Sequence, residues 1–274
     1  MKQLRSRVAV ITGAASGIGR ALAIELATEG MTLALADRDA AGLAETVQLI
    51  GRSGTVASQH VVDVADEAAV NAFALDVLRT HGVVDVVVNN AGVSIFGSVL
   101  ELTTAEIAWL MGVNFWGVVH GTKAFLPALL SRPEACLVNI SSVFGLWGPP
   151  GQAAYVASKF AVRGFSESLR GELAGTNVRV VTVHPGGIKT AIARNARVAA
   201  AADSATAASR TATFEREFLT MPPEALAARI VDALKRGRER VVAGADARQI
   251  DALVRLFPVR APRWLNRRAR RDAG

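Results

Sequence analysis

The chain has 274 residues, of which 51% are hydrophobic and 20% are charged. This composition can supply one large core, and single α/β domains often reach about 250 residues. No apolar run approaches the ~18 residues of a membrane-spanning helix, and the basic N-terminal segment shows no signal-peptide cleavage pattern. The composition therefore excludes a helical membrane span and favours a globular domain.

The positive charge is concentrated at one end of the chain. The formal net charge is +7, and the segment from Arg255 onward contributes +6 of it through seven arginines and one acidic residue, Asp272. Because the remainder is nearly neutral, we predict that the folded body does not bind nucleic acid. The single cysteine, Cys136, cannot form an internal disulfide, which favours a reduced, cytoplasmic setting.

Segments rich in Val, Ile and Leu alternate with Ala-rich amphipathic segments along the chain. We predict strands at residues 8–11, 32–36, 56–62, 83–88, 137–140, 178–183 and 240–242. The first predicted helix follows the glycine loop and ends near Glu29. The other predicted helices cover residues 40–51, 66–81, 104–131, 153–174 and 223–236. Strands separated by helices form βαβ units. The predicted fold is therefore α/β, a Rossmann-type doubly wound parallel sheet of about seven strands with helices on both faces.

Two regions differ from this pattern. Residues 191–215 are rich in Ala, Ser and Thr, which favours a mobile helical flap, with a plain pair of surface helices as the alternative. Residues 1–250 are predicted to form one Rossmann-fold domain that includes this flap, and residues 251–274 a basic C-terminal extension. Pro258 and Pro262 argue against one continuous helix in the extension. We favour an extension that packs on a neighbouring subunit and ends in a solvated arginine tail over one that lies on an anionic membrane surface.

A glycine-rich loop follows the first predicted strand and opens the first helix. It reads TGAASGIG over residues 12–19. Glycines at such positions allow a tight turn and a close approach of backbone N–H groups to a pyrophosphate, and the helix N-terminus adds a favourable dipole. For this motif alone, a glycine turn without a ligand is the alternative. The residues expected to bind a dinucleotide here are Gly13, Ser16, Gly17, Ile18 and Gly19.

The ends of the next strands carry further candidate cofactor contacts. Asp37 ends the second predicted strand, where a carboxylate accepts hydrogen bonds from the adenosine ribose hydroxyls and repels a 2′-phosphate. This favours NAD over NADP, although Arg38 beside it could instead contact a phosphate. At the end of the third strand, Asp63 could bond the adenine amino group, with a turn or helix-capping role as the alternative. The remaining candidates at these strand ends are Val64, Asn90, Ala91 and Gly92.

The single tyrosine, Tyr155, stands four residues before Lys159 and thirteen after Ser142. A phenol has a reference pKa near ~10, and an ammonium at i+4 on the same helix face favours the phenolate. Such a pair can exchange a proton near physiological pH. An isolated pair of this spacing is more often a half-buried aromatic beside a solvated lysine, so the other motifs decide the interpretation. No histidine stands in an obvious triad with Ser142, and we see no cluster of metal ligands.

Taken together, the motifs resemble the short-chain dehydrogenase/reductase family, in its shorter type with a TGxxxGxG loop and a YxxxK pair. The resemblance covers about residues 6–190. Besides the glycine loop it rests on MGVNFWG around Asn114 and on four further motifs, which are NNAG at 89–92, NISS at 139–142, YVASK at 155–159 and HPGGIKT at 184–190.

The resemblance implies roles for individual side chains. Tyr155 would be the general acid/base, Lys159 would hold the nicotinamide ribose and lower the tyrosine pKa, and Ser142 would orient the substrate oxygen. Asn114 would anchor a water molecule in the proton relay. The residues that would pack along the nicotinamide and its phosphates are Pro185, Gly186, Ile188 and Thr190. The family also implies a homo-oligomer, a tetramer or a dimer, formed through the two long helices.

The substrate pocket of such a fold is expected beyond the carboxyl ends of the strands. No Arg or Lys stands in the two loops nearest Ser142 and Gly92, which favours an uncharged, hydrophobic secondary alcohol or ketone. We predict an NAD-dependent oxidoreductase for such a substrate. An NADPH-dependent ketoreductase and a non-catalytic dinucleotide sensor or scaffold are the alternatives. The residues expected to line the pocket are Ile95, Phe96, Val143, Phe144, Leu146, Trp147 and Gly187, with the flap over them.

Overall fold

The computed structural model describes residues 1–51, 54–202 and 219–271, with side chains up to residue 267. The strands are β1 (Val8–Thr12), β2 (Thr32–Asp37), β3 (Ala57–Val61), β4 (Val86–Asn89), β5 (Ile95–Phe96), β6 (Ala135–Ile140), β7 (Val178–Pro185), β8 (Arg197–Val198) and β9 (Arg240–Ala243). The helices are α1 (Gly17–Thr28), α2 (Ala40–Gly51), α3 (Glu67–His81), α4 (Thr104–Met111), α5 (Gly117–Leu130), α6 (Ala153–Glu172), α7 (Pro223–Arg236), α8 (Ala245–Leu256) and α9 (Arg260–Arg271).

Seven of the described strands form one parallel sheet in the order β3-β2-β1-β4-β6-β7-β9. Val10 of β1 is paired with Ala34 on one side and with Val87 on the other. The strand order therefore reverses between β1 and β4. In doubly wound sheets a crevice opens at this switch point, at the carboxyl ends of the strands. The predicted fold class, a Rossmann-type parallel sheet with helices on both faces, is confirmed.

Helices bury both faces of the sheet. Ile11 and Leu35 pack on one face with buried residues of α1 and α7. Val10 and Val87 pack on the other face with buried residues of α3, α5 and α6. Neighbouring residues of β1 thus enter different clusters, because side chains alternate along a strand. Because both faces of such a strand are buried, apolar residues do not alternate with polar ones along it. This explains the unbroken apolar segments of the sequence.

The predicted helix at residues 104–131 is divided by a π-helical turn at Gly112–Trp116. Its start is well defined, because Thr103 and Glu106 form a capping box before α4. Turns of the π type insert one extra residue into a helix and occur often at functional sites. The position of this one matters because it contains Asn114.

The predicted helical flap is not found in the part of it that the structure describes. Residues 191–202 form turns and the short strand β8, which pairs with β5. Backbone hydrogen bonds from Arg197 N to Ser94 O and from Ala199 N to Phe96 O hold this segment extended, and this pairing takes the place of a helix. Residues 203–215 of the predicted flap lie outside the described residues.

Over its described residues, 251–271, the C-terminal extension contains the end of α8 and the whole of α9, which are separated near Pro258. The prediction that it is not one continuous helix is therefore correct. Helix α8 runs across residue 250, so the predicted domain boundary does not coincide with the end of an element. Within the described ranges, no helix combines the length and the apolar character that crossing a membrane requires.

Candidate active site

A cavity of about 420 Å³ opens at the carboxyl ends of the central strands. The glycine loop after β1, the ends of β2 and β4, the loop after β6 and the turn after β7 all contribute to its wall. All but one of the predicted cofactor residues line it, and these are Gly13, Ser16, Gly17, Ile18, Asp37, Arg38, Asp63, Val64, Asn90, Ala91, Gly92, Tyr155, Lys159, Pro185, Gly186, Ile188 and Thr190.

The exception is Gly19, which lies behind the glycine loop. A Cβ atom at Gly19 would overlap the carbonyl oxygen of Gly13, so glycine is needed there to pack the start of α1 against the turn. Gly13 and Gly17 have φ angles of +68° and +54°, a region that favours glycine. Ser16, the N-cap of α1, makes no side-chain capping bond. The first amide groups of the helix therefore fit an anionic group such as a pyrophosphate.

Asp37 ends β2 with its carboxylate at the cavity edge. Its two oxygens accept hydrogen bonds from Ala15 N at 3.0 Å and from Asp39 N at 3.1 Å. These bonds fix the carboxylate where the adenosine ribose lies in dinucleotide-binding folds. Asp63 is partly committed to its own turn, since its Oδ1 accepts the amide of Ala65 at 2.9 Å.

The NNAG segment connects neighbouring strand ends. Asn89 Nδ2 donates to Asn139 Oδ1 at 2.9 Å and so links β4 to β6. Asn90 Nδ2 donates to Thr12 O at 2.8 Å and to Gly13 O at 3.1 Å. These amides hold the glycine loop beside β4.

Ser142, Tyr155 and Lys159 converge on one part of the cavity wall. Ser142 follows β6, and its Oγ accepts a hydrogen bond from Phe144 N at 3.1 Å. Tyr155 and Lys159 lie one turn apart in α6, with Lys159 Nζ 5.6 Å from the centre of the Tyr155 ring. The same Nζ donates to Ile140 O at 3.1 Å. A hydroxyl, a phenol and an ammonium thus lie close together beside the predicted cofactor residues.

Asn114 lies directly behind the cavity rather than in its wall. It is fully buried in the π-helical turn. Its Oδ1 accepts from Val93 N at 2.8 Å, and its Nδ2 donates to Val93 O at 2.9 Å and to Ser158 Oγ at 3.2 Å. These bonds fix the loop after β4 against α6. The water-anchoring role of Asn114 stays a prediction.

The pKa of Tyr155 is shifted in the direction opposite to the expected one. Burial raises this pKa to about 12, and a side-chain hydrogen bond with Ser142 opposes the shift only in part. Burial also lowers the pKa of Lys159 to about 8. Desolvation of the phenolate is therefore the largest effect on this group, and a lowering of the tyrosine pKa by Lys159 stays a prediction.

His184 contacts the backbone of the site at Ser142. It is buried, and its Nδ1 lies 3.2 Å from the carbonyl oxygen of Ser142. Burial lowers the pKa of His184 to about 4, so the ring is neutral near pH 7 and donates to this oxygen. This contact fixes the backbone at Ser142. Among the described residues, no group of three His, Cys, Asp or Glu side chains is placed to hold a metal ion.

The side of the cavity away from the glycine loop is apolar. The Phe144 ring lies edge-on to the rings of Tyr155 and Trp147, at centre-to-centre distances of 6.2 Å and 5.8 Å. An apolar wall therefore borders the predicted acid/base group. The residues of this wall that the sequence predicts are Phe96, Val143, Phe144, Trp147 and Gly187.

The prediction was wrong for two residues of this wall. Ile95 is buried with Leu102 and Leu110 in a separate cluster. Because alternate residues of a strand face opposite sides, it is Phe96 rather than Ile95 that reaches the cavity. Leu146 follows the short 3₁₀ turn after Ser142 and is buried outside the wall.

Helix α8 completes the cavity wall and α9 packs behind it, which sequence reasoning missed. Asp246 and Ile250 of α8 line the wall, and Asp246 Oδ2 accepts from Gly187 N at 2.9 Å. Trp147 Nε1 donates to Asn266 Oδ1 of α9 at 3.0 Å. The inner face of α9 thus packs on its own chain rather than on a neighbouring subunit. The available signal was the position of Asp246 just beyond β9, at the same sheet edge as the other site residues.

Comparison with known proteins agrees with this geometry. A model of the short chain dehydrogenase family matches residues 7–201. A Mycobacterium tuberculosis protein named as an oxidoreductase, SadH, is 47% identical over 94% of this chain and 93% of its own length. The chain therefore belongs to the short-chain dehydrogenase/reductase family, a family of oxidoreductases.

Two solved structures extend the comparison. A short chain dehydrogenase/reductase from Burkholderia phymatum in complex with NAD is 34% identical, with a TM-score of 0.81 over 88% of this chain and 90% of that one. An alcohol dehydrogenase from the archaeon Thermococcus sibiricus, complexed with 5-hydroxy-NADP, is 30% identical, with a TM-score of 0.74 over 86% of this chain and 94% of that one.

Proposed function

We propose that the protein is an NAD-dependent dehydrogenase that interconverts a hydrophobic secondary alcohol and its ketone. The observation that carries this proposal is the convergence of Ser142, Tyr155 and Lys159 on a cavity that the glycine loop and Asp37 also line. A phenol and an ammonium beside a dinucleotide site are what proton transfer to or from a substrate oxygen requires. A bound nicotinamide would supply the hydride acceptor for oxidation or the hydride donor for reduction.

The chain's own residues handle the proton. Tyr155, which is protonated near pH 7 at a pKa of about 12, is ready to donate to a ketone oxygen. Alcohol oxidation needs the phenolate instead, and the positive charges of Lys159 and of an oxidised nicotinamide favour that form. Ser142 orients the substrate oxygen. Asn114 holds the loop after β4 and anchors a water molecule that passes the proton on.

Asp37 supports the choice of NAD. Its carboxylate is fixed by two backbone amides and would meet a 2′-phosphate with like charge. The NAD-bound relative from Burkholderia phymatum agrees with this choice. Arg38 is exposed at the same edge, and the second solved relative carries an NADP derivative. An NADPH-dependent ketoreductase is therefore the alternative.

The apolar wall supports a hydrophobic substrate. Phe96, Phe144 and Trp147 border the place beside Tyr155 where the substrate carbon would lie. Large aromatic side chains contribute most binding free energy when they contact apolar groups and both are removed from water. An alcohol dehydrogenase is among the solved relatives, which agrees with this substrate class.

We also propose a homo-oligomeric, cytoplasmic protein. Trp116 and Leu130 near the ends of α5, and Phe160 on α6, are exposed, as expected if these helices form a subunit interface. Cys136 is buried and burial raises its pKa to about 12, so its thiol is unreactive.

Turnover of a panel of hydrophobic secondary alcohols with NAD⁺ tests the proposal, with Tyr155→Phe as the matched variant. We expect wild type to reduce NAD⁺ with at least one alcohol, and Tyr155→Phe to lose at least a hundredfold in rate while it still binds NADH in a fluorescence titration. Binding of NADH without turnover of any alcohol or ketone would instead favour a dinucleotide sensor. Higher affinity for NADPH than for NADH would favour the ketoreductase.

A further inference from the structure

The outer surface of the C-terminal helices exposes apolar side chains between arginines. Residues 255–260 are all exposed. Leu256, Phe257, Val259 and Trp264 keep 71%, 51%, 62% and 52% of their surface accessible to solvent. We define these four residues, together with Arg260, Arg263 and Arg267, as the C-terminal patch. Soluble proteins rarely expose so many large apolar residues in one short segment without a partner.

The orientation of α9 explains why these residues face outward. Ala261 and Leu265 are buried against the chain, and Asn266 accepts the hydrogen bond from Trp147. Residues three and four positions apart share a helix face. Arg260, Trp264 and Arg267 therefore lie together on the opposite face, with one arginine a turn before the tryptophan and another about a turn after it.

The charge of the patch favours one kind of partner. Arg260, Arg263 and Arg267 have no acidic partner among the residues that the structure describes. The segment from Arg255 to the C-terminus carries a net charge of +6. Two copies of this chain that met through the patch would bring these charges together, which disfavours a dimer through it. A surface that is both apolar and negatively charged would satisfy the patch.

We propose that the C-terminal patch docks the protein on anionic lipid membranes. Phe257 and Trp264 would enter the headgroup region together with Leu256 and Val259, and the arginines would extend to lipid phosphates. The two exposed aliphatic side chains favour lipid over nucleic acid, because they cannot stack on bases. The patch is separate from the residues that bind cofactor, so docking does not depend on the proposed dehydrogenase activity.

Vesicle sedimentation with the full-length chain tests this proposal. We expect wild type to bind vesicles of phosphatidylcholine and phosphatidylglycerol, and to bind vesicles of phosphatidylcholine alone at least tenfold more weakly. Binding to the anionic vesicles should fall as salt is added. The triple variant Arg260→Gln/Arg263→Gln/Arg267→Gln should lose about a hundredfold in affinity, at about 1 kcal/mol per cation near the surface.

A second variant tests the apolar part of the patch. Phe257→Ser/Trp264→Ser should lose at least tenfold in vesicle affinity, because the apolar contacts are removed. The control is Val61→Ser/Leu75→Ser, which removes two apolar side chains elsewhere on the surface that are even more exposed, at 67% and 71%. It should bind like wild type. Circular dichroism and NADH binding verify that each variant is folded.

Three results would overturn the proposal. The first is that wild type binds neither kind of vesicle. The second is a wild-type oligomer that dissociates in Phe257→Ser/Trp264→Ser with no effect on vesicle binding, which would identify a second copy as the partner. The third is binding of single-stranded RNA that vesicles do not compete for and that the triple arginine variant loses.

Discussion

Lys159 illustrates a conflict between stability and function in this site. Burial lowers its pKa from 10.5 to about 8, and at about 1.4 kcal/mol per tenfold this corresponds to about 3 kcal/mol of unfavourable free energy in the folded state. Replacement by methionine keeps an unbranched side chain as far as the Cε position but removes the terminal ammonium and its charge. It also removes the hydrogen bond to Ile140 O, at a cost of about 1 kcal/mol. We therefore expect Lys159→Met to be about 2 kcal/mol more stable than wild type at pH 7.

The pH dependence separates this explanation from a general packing effect. Below pH 8 the folded and unfolded states both carry the ammonium, so the full cost is present. Between pH 8 and 10.5 the unfolded state binds more protons than the folded state, and wild-type stability rises with pH relative to the variant. Urea unfolding at pH 7 and pH 9 measures both effects, and turnover of Lys159→Met should fall at least a hundredfold. A variant that is less stable than wild type at pH 7, by an amount that does not change with pH, would refute this reasoning.

Three further substitutions probe other parts of the account. Gly19→Ala places a Cβ atom against the carbonyl oxygen of Gly13, so we expect a loss of about 1–3 kcal/mol in urea unfolding and weaker NADH binding in a fluorescence titration. Asp37→Ser removes the charge that repels a 2′-phosphate, and the ratio of NADPH to NADH affinity should rise at least tenfold in the same titration. His184→Gln removes a ring with a pKa of about 4. Below about pH 6.5 this histidine binds a proton in the unfolded state, whereas in the folded state it stays neutral down to about pH 4. The free energy of unfolding of wild type should therefore fall by about 2 kcal/mol between pH 7 and pH 5 because of this group, and that of the variant should not.

Controls and contradictory results complete these tests. Gly171→Ala meets no atom within 4 Å and lies in α6, so it should leave stability unchanged or raise it by up to about 1 kcal/mol. Equal effects of the two glycine substitutions would contradict the packing argument. An unchanged cofactor ratio in Asp37→Ser would assign the selection to another residue. Identical acid sensitivity of wild type and His184→Gln would show that His184 does not stay neutral in the folded protein.

The sheet and the cofactor side of the site could be predicted because their signals are local. Strands such as β1 and β4 are unbroken apolar segments, and the glycine loop connects one of them to a helix. The carboxyl ends of parallel strands meet at one edge, so the amino-acid sequence alone assigns Asp37 and the NNAG segment to the same cavity.

The substrate side could not be predicted in the same way. The position of Ile95 depends on the register of a two-residue strand, and the roles of Asp246 and Asn266 depend on how α8 and α9 fold back over the sheet. These contacts are long-range and leave no periodic pattern in the sequence. The net pKa of Tyr155 could not be predicted for a related reason, since spacing indicates the nearby ammonium but not the degree of burial.

Hydride transfer to a ketone is the measurement that tests the central claim most directly. The enzyme is incubated with NADH that carries deuterium at the transferable position and with a panel of hydrophobic ketones, and the products are analysed by mass spectrometry. We expect deuterium at the carbinol carbon of at least one alcohol product with wild type, and about a hundredfold less with Tyr155→Phe. Tight binding of NADH with no transfer to any ketone would contradict the account and leave a dinucleotide-binding protein without dehydrogenase activity.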